Sequence, residues 1–408
     1  MINLYHSNRL EALFEQLVDT IEQKTLNNVF EAETIIVQSQ GMSRWLSMQL
    51  ATKQSIAANI EYPFPASFVW KIFQSQLQNI PDNTSFDKDI LVWKIIELLP
   101  RHLDKKEFSI IQQYLTTEYD EFKLYQLACK IVDIFDQYMV FRPDWIMNWE
   151  SGNDEHWQAQ LWRAIVENKK LPHRANVLHD FIEQCQQGQL NNNKLPERLS
   201  IFGISALPPA HLEVFNQISE QCDVHLFMLN PCLQFWGDII TKKSIVRIKQ
   251  LRKLHCQSMS LEHYSVGHPL LASMGQLGKD FQQQLHQYDC LDQETYVEPT
   301  VTNLLEYIQT DILYLLDRQQ VINETNTDND LFEQTELPFD KALPIIEDSD
   351  NSLQIHCCHS PLREIEVLHD QLLALFEQTP SLKPHNIIVM TPDINDYIPY
   401  IEAVFGTS

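Results

Sequence analysis

Apolar residues fall into two spacings along this chain, and the change of spacing marks its elements. Residues 2–6, Ile-Asn-Leu-Tyr-His, alternate and predict a short strand. Leu10, Leu13, Phe14, Leu17, Val18 and Ile21 then keep a helical stripe, predicting a helix from Arg9 to about Gln23 with Ser7 or Asn8 as its cap. Thr34-Ile-Ile-Val37 is a continuous apolar run of the kind found in strands buried on both faces. It leads into Gln38-Ser39-Gln40-Gly41-Met42 and then a helix carrying Trp45, Leu46, Met48 and Leu50. Strand, short polar loop and helix is the layout of an α/β nucleotide-binding turn, but no lysine or glycine-rich run fills this loop.

From residue 60 to 200 the spacing is mostly helical, with stripes around 66–79, 87–103, 107–115 and 121–140. Pro63 and Pro65 stiffen the entry, Arg142-Pro143-Asp144-Trp145 breaks the last stripe, and Gly188–Lys194 is a polar loop. Strand signals return at Leu199–Phe202 and Val224–Leu229, separated by the turn 203–209 and an amphipathic helix, Ala210–Gln221. The economical reading is a parallel sheet interrupted by a helical insertion and then resumed. Residues 318–350 are acidic and poor in apolar positions, which predicts a linker or mobile loop. Beyond them, strands at Leu353–Cys357 and Asn386–Met390 and helices at Leu362–Gln378 and Tyr397–Phe405 predict the start of a second α/β unit. Two strands fall short of the ~5 that a doubly wound sheet typically holds.

Composition narrows the function. A chain of 408 residues suggests two or three domains, and 44% apolar content excludes general disorder. No apolar run approaches the ~18 residues of a membrane span, and the charged N-terminus has no secretory h-region, so a cytoplasmic location without membrane contact is expected. Thirty basic against 55 acidic residues give a net charge of −25, which argues against a protein coated by nucleic acid but not against a local groove. The 8 cysteines form no C-x-x-C pair, so reduced thiols are expected. His356-Cys357-Cys358-His359 has metal-ligand residue types, but neighbours on a strand point to opposite faces, which favours a buried strand over a zinc site.

No G-x-x-x-x-G-K-[ST] string occurs. Gly275-Gln-Leu-Gly278-Lys279-Asp280 is two residues too short between its glycines and places a carboxylate where a hydroxyl is required, so it reads as a turn or helix-packing feature. A paired-carboxylate nuclease centre is not visible either, and no cofactor is expected. One basic stretch stands out: Lys242, Lys243, Arg247, Lys249, Arg252 and Lys253, with no acid between 241 and 261. A phosphate contact and an ordinary solvated face are both open readings of it.

Strings spread through the chain carry a resemblance. They include His6-Ser7-Asn8-Arg9-Leu10, Gln38-Ser39 with Gly41-Met42 and Trp45-Leu46, Pro65-Ala-Ser-Phe68 with Trp70, and Asp136-Gln-Tyr138. Further on stand Arg142-Pro-Asp-Trp145, His173-Arg-Ala-Asn176, Gly203–Pro209, Asn230-Pro-Cys232 with Trp236-Gly-Asp-Ile239, and Cys358-His-Ser-Pro361. In this order they resemble the RecC family, the gamma subunit of exodeoxyribonuclease V. The resemblance spans essentially the whole chain and implies the N-terminal portion of a longer subunit.

The resemblance implies a degenerate superfamily 1 helicase-like α/β domain (1–60 and 195–317) with a large helical insertion (61–194). The acidic segment 318–350 follows, then the start of a second helicase-like domain (351–408). It implies a non-catalytic, DNA-binding subunit that holds RecB and RecD, takes single-stranded and duplex-end DNA, channels the unwound 3′ strand and recognises Chi, with ATP and Mg²⁺ used by partner subunits. Family Chi-reading positions match at Gln38, Trp70, Asp133, Asp136, Arg142 and Arg174. Gln40, Arg44, Phe64 and Ile134 stand where Thr, Gln, Leu and Leu are expected, and Arg44 adds a guanine-reading fork that would alter the octamer recognised. By residue type alone, Trp70 also reads as core, the two aspartates as a solvated face, Arg142 as a helix cap and Gln38 as a partner for loop amides. An assembly scaffold that binds RecB without DNA, and an active ATPase, are the competing functions. The empty phosphate-loop position argues against the latter.

Overall fold

In the computed structural model, residues 1–28, 30–78, 80, 86–116, 121–167, 172–239, 267–318 and 345–406 are described. The basic stretch at 242–253 and most of the acidic segment lie outside them. The chain divides into two compact units, one of residues 1–299 with 309–341 and the other of 300–308 with 342–408.

The larger unit is built on a six-stranded, all-parallel sheet. Its strands are β1 (Ile2–Ser7), β2 (Glu33–Ile36), β3 (Ile60–Glu61), β4 (Arg198–Phe202), β5 (Asp223–Leu229) and β6 (Cys290–Glu294), in the spatial order β3-β2-β4-β5-β1-β6. β4 and β5 therefore slot between β2 and β1, although some 140 residues separate them from β3 in sequence. The apolar runs explain this placement. β2 and β4 are buried along their whole length, as a central parallel strand covered on both faces must be. On one face Phe14, Leu17, Ile35, Val37, Leu46 and Phe202 pack together, beneath α1 (Leu10–Gln23) and α2 (Gln40–Gln54). On the other face Ile36, Ile201, Leu226 and Phe215 pack with Phe68, Phe73 and Phe181.

Two polar devices tie the sheet together. Arg198 at the start of β4 is buried and donates from Nε to Glu33 of β2 at 2.8 Å. It also donates from Nη1 to the Thr20 carbonyl at 3.1 Å, so one guanidinium joins α1, β2 and β4. At the far end, Ser7 Oγ donates to the Thr295 carbonyl at 2.8 Å, and Asn8 exchanges hydrogen bonds with the Val297 backbone at 2.8 and 2.9 Å. Asn230 accepts from Trp236 Nε1 at 2.9 Å and donates to the Tyr296 hydroxyl at 2.9 Å. The His6–Leu10 and Asn230–Ile239 strings thus clasp β6 onto β1. Gly278, from the short glycine pair, sits against Trp236, where a Cβ would come within 2.9 Å of the indole; it is a helix-packing feature, as expected.

The segment between β3 and β4 is helical: α3 (Pro65–Gln76), α4 (Lys88–Leu98), α5 (Ser109–Thr116), α6 (Glu121–Phe141), α7 (Pro143–Glu150), α8 (Trp157–Val166) and α9 (Arg174–Gln186). Residues from α4 to the start of α9 form their own apolar core around Phe108, Phe135, Trp149 and Trp162. Gly203 (φ +64°) then turns the chain out of β4 toward α10 (Pro209–Ile218), which packs on α3 and α9. A Cβ at Gly203 would meet Met42 at 3.3 Å, so the turn needs glycine both for its left-handed backbone and for space. After β5 come α11 (Pro269–Met274), α12 (Gln276–Leu285) and, beyond β6, α13 (Leu304–Leu313).

In the smaller unit, α14 (Pro361–Gln378) and α15 (Ile398–Phe405) form as expected. The strands expected at Leu353–Cys357 and Asn386–Met390 do not: these segments belong to no sheet among the described residues. A strand is a paired state, and an apolar run without a neighbouring ladder leaves its backbone groups to water. Ile355 is accordingly 85% exposed and Ile388 81%. Cys357, expected in a buried strand, is exposed.

Candidate nucleic-acid interface

The residues singled out in the sequence fall into two groups and one outlier. The first group gathers around a cavity of about 330 Å³ in the larger unit. Its wall is formed by α3, α6, α9 and the first turn of α10, and Trp70, Asp136 and Arg174 all line it. Trp70 is half-buried, with one side packed near Phe73 in an edge-to-face contact at 6.1 Å. The two readings of this tryptophan therefore coexist: it belongs to the core margin and borders an open space.

Arg174 is placed by the string His173-Arg-Ala-Asn176. His173 caps α9: its Nδ1 accepts from the Asn176 N–H at 3.3 Å, and Asn176 Oδ1 accepts from the His173 N–H at 3.2 Å. With Nδ1 accepting, the other ring nitrogen, Nε2, is the one that donates to Glu150. Glu150 also accepts from Trp162 Nε1 at 2.9 Å. Half-burial pushes this carboxyl up, but the bonds from His173, Trp162 and Asn176 outweigh it and hold the group below the ordinary carboxylate range. Ala175 is buried, which leaves Arg174 to project outward. Its Nη1 donates to Asp136 Oδ1 at 2.9 Å.

Asp136 is also 3.4 Å from Lys88 Nζ, and Lys88 donates to Asp133 at 2.8 Å. Lys88 holds Asp133 below the ordinary carboxylate range, chiefly through that hydrogen bond. The two aspartates are therefore members of an ion-pair chain, Asp133–Lys88–Asp136–Arg174, rather than a bare solvated face. Ile134 lies between them on α6, 36% exposed. Arg142 is the outlier. It precedes α7 without a side-chain capping bond to it, donates to the Phe141 carbonyl at the end of α6 at 3.2 Å and stands over the Trp145 ring at 5.8 Å, while Phe141 itself lines the cavity.

The second group lies at the carboxyl end of β2, the edge where open parallel sheets bind ligands. Gln38 and Gln40 are exposed there, and Arg44 is exposed on α2. Ser39 Oγ caps α2 by accepting from the Met42 N–H at 3.2 Å. The Val37 N–H donates to the Pro63 carbonyl at 3.2 Å, which brings the entry to α3 beside this edge and leaves Phe64 42% exposed. The backbone from Gln38 to Phe64 to Trp70 thus links the two groups.

Sequence reasoning missed His211, which lines the cavity beside these residues. Its signal was weak: one histidine in the first turn of an ordinary amphipathic helix. Burial, reinforced by the charge of Arg174, pushes its pKa down to about 4. Among the described residues no group of three His, Cys, Asp or Glu is placed to hold a metal ion. Nor is any helix among them long and apolar enough to cross a membrane.

A parallel α/β sheet with a large helical insertion, and a cavity lined by Trp70 and Arg174, define a class by fold: an α/β protein elaborated by helices. Comparison with known proteins narrows this. The family model described as RecC, N-terminal domain, matches residues 2–315. The chain is 39% identical over 438 residues to the RecBCD enzyme subunit RecC of Escherichia coli (strain K12), with 100% of this chain and 38% of that protein covered. The corresponding Haemophilus influenzae subunit is 34% identical over 461 residues, with 100% and 39% covered. The Mycolicibacterium smegmatis subunit is 27% identical over 417 residues, with 99% and 34% covered. The chain belongs to the RecC family, and it spans little more than a third of the length of these relatives.

Proposed function

We propose that this chain is the strand-binding part of a non-catalytic RecC-type subunit of a RecBCD helicase–nuclease. It passes the unwound 3′ strand across the cavity lined by Trp70, Asp136 and Arg174 and contributes there to Chi recognition. One observation carries the reading: residues that lie far apart in sequence converge on a cavity with a stacking face and a guanidinium at its rim. Tryptophan accepts any base by stacking, worth about 1–3 kcal/mol per base. Arginine reads guanine or holds phosphate, and Asp136 fixes its orientation. Gln38, Gln40, Arg44 and Phe64 extend the path along the sheet edge. The phosphate-loop position of a superfamily 1 helicase corresponds to Gln38–Met42, where no lysine is available, so ATP hydrolysis belongs to partners of the RecB and RecD type. Cytoplasmic assembly with those partners and duplex-end DNA completes the proposal.

Fluorescence anisotropy with a labelled oligothymidylate tests it. The full chain binds, and Trp70→Ala weakens binding by about 1–3 kcal/mol. A chain that pulls down RecB yet shows no single-strand binding would establish the scaffold function instead.

A further inference from the structure

The cavity holds one polar group that the reading above does not use. His211 sits in the first turn of α10 and lines the same cavity as Trp70 and Arg174. Its Nδ1 is shut away from solvent with no hydrogen-bond partner. Its Nε2 has no partner among the described residues either, yet it stays accessible on a ring that lines the cavity. A buried N–H without an acceptor is the costlier arrangement, so the single proton of the neutral ring belongs on Nε2. The ring is uncharged at neutral pH because burial and the neighbouring Arg174 both disfavour a second positive charge. His211 thus offers one N–H donor to whatever enters. Arg174 offers more: Asp136 takes only the Nη1 bond, and a guanidinium carries five N–H donors.

We propose that His211 is a specificity-determining residue of this cavity, pairing with Arg174 to select guanine over adenine in the bound strand. The chemistry is a matching of edges. Guanine presents two adjacent acceptors, N7 and O6, on its major-groove edge. Two protein donors satisfy both. Adenine presents N7 beside the N6 amine, so one of the two donors would face another donor. Trp70 supplies the stacking face common to all bases and does not discriminate. The inference rests on the strand-binding proposal, and the two fail separately.

The test uses the full chain and labelled oligothymidylates carrying one central dG, dA or 2-aminopurine. The dG oligomer is expected to bind about tenfold tighter than the dA oligomer, the scale of one good base-edge recognition. His211→Leu removes most of that ratio, and so does His211→Gln, whose amide can offer its N–H to guanine O6 or its oxygen to adenine N6. Replacing dG by 2-aminopurine, which keeps N7 but lacks the O6 acceptor that His211 must face to tell guanine from adenine, lowers affinity for the unsubstituted chain and leaves His211→Leu unmoved. Should His211→Leu fail to fold, the 2-aminopurine comparison on the unsubstituted chain and the dG/dA ratio of His211→Gln decide the matter, an unchanged ratio overturning the role of His211. Equal binding of dG and dA, or an unchanged ratio in His211→Leu, overturns the role of His211. If Trp70→Ala leaves affinity for every oligomer untouched, the strand-binding reading itself is wrong.

Discussion

Single side chains in this protein are controlled by neighbours that sequence spacing does not reveal. Asp136 and Arg174 are 38 residues apart, and nothing in their local patterns announces the 2.9 Å bond between them. Trp70 illustrates why residue type alone leaves a choice open: an indole at the core margin meets both descriptions. Conversely, the His173–Asn176 string is decipherable once α9 is known to start there, because capping needs those two residues three apart. Arg174→Lys should keep a positive charge yet lose the fork held by Asp136, lowering guanine preference more than overall affinity; competition between dG- and dA-containing oligomers reads this out. In the proposed strand path, the exposed Arg44 would add a base-reading fork. A holoenzyme carrying this subunit should respond to an octamer different from that of relatives with glutamine there, and Arg44→Gln should shift the response; Chi-dependent protection of plasmid substrates measures it.

Elements were legible where burial is two-sided. The β2 and β4 runs could be read because a strand covered on both faces is apolar throughout. β6, Cys290–Glu294, could not: it is an edge strand whose residues are mostly exposed and polar, and only its backbone pairing with β1 makes it a strand. The opposite error occurred in the smaller unit, where Asn386–Met390 has strand composition but no ladder to join. Element-level stability should follow the buried polar ties. Arg198→Ala leaves Glu33 buried beside an empty site, and removal of one partner from such a pair costs about 3–5 kcal/mol. His173→Ala removes a helix cap and a donor to Glu150, for about 2–4 kcal/mol combined. Urea titration monitored by circular dichroism checks both values. His173→Ala should also weaken DNA binding by misplacing Arg174.

Across the larger unit, several groups respond to acid in the same direction. Burial pushes His225 down to about 4, with Arg198 adding to the effect, and His211 is lowered to about 4 as well. Each is neutral when folded and titrates near 6.5 when unfolded, so the unfolded chain binds more protons between those values. Stability is therefore complete above about pH 6.5 and declines as the pH falls toward 4. The depressed Glu150 carboxyl extends the loss below its ordinary value of 4.5, since its stabilisation is present above that pH and vanishes as it protonates. The urea midpoint should fall from pH 7 to pH 5, and His225→Gln should flatten that slope. The overall charge of −25 adds no obstacle to a strand site, because the cavity wall carries its own arginine and the ion-pair chain neutralises its aspartates locally.

The interleaved sheet order also sets a schedule for synthesis. β1 and β2 are made first, but the two strands that lie between them, β4 beside β2 and β5 beside β1, begin only at Arg198 and Asp223. A nascent chain ending before Arg198 can assemble the α4–α8 helical core, whose contacts are local, while Ile35 and Ile36 have no strand to pair with. Long-range parallel pairing is intrinsically slow and leaves apolar edges open to aggregation while it waits. Ribosome-bound chains stalled at residue 190 should therefore resist protease within the helices yet be cut around β2, and chains stalled past β5 with enough tether to clear the exit tunnel should be protected at both.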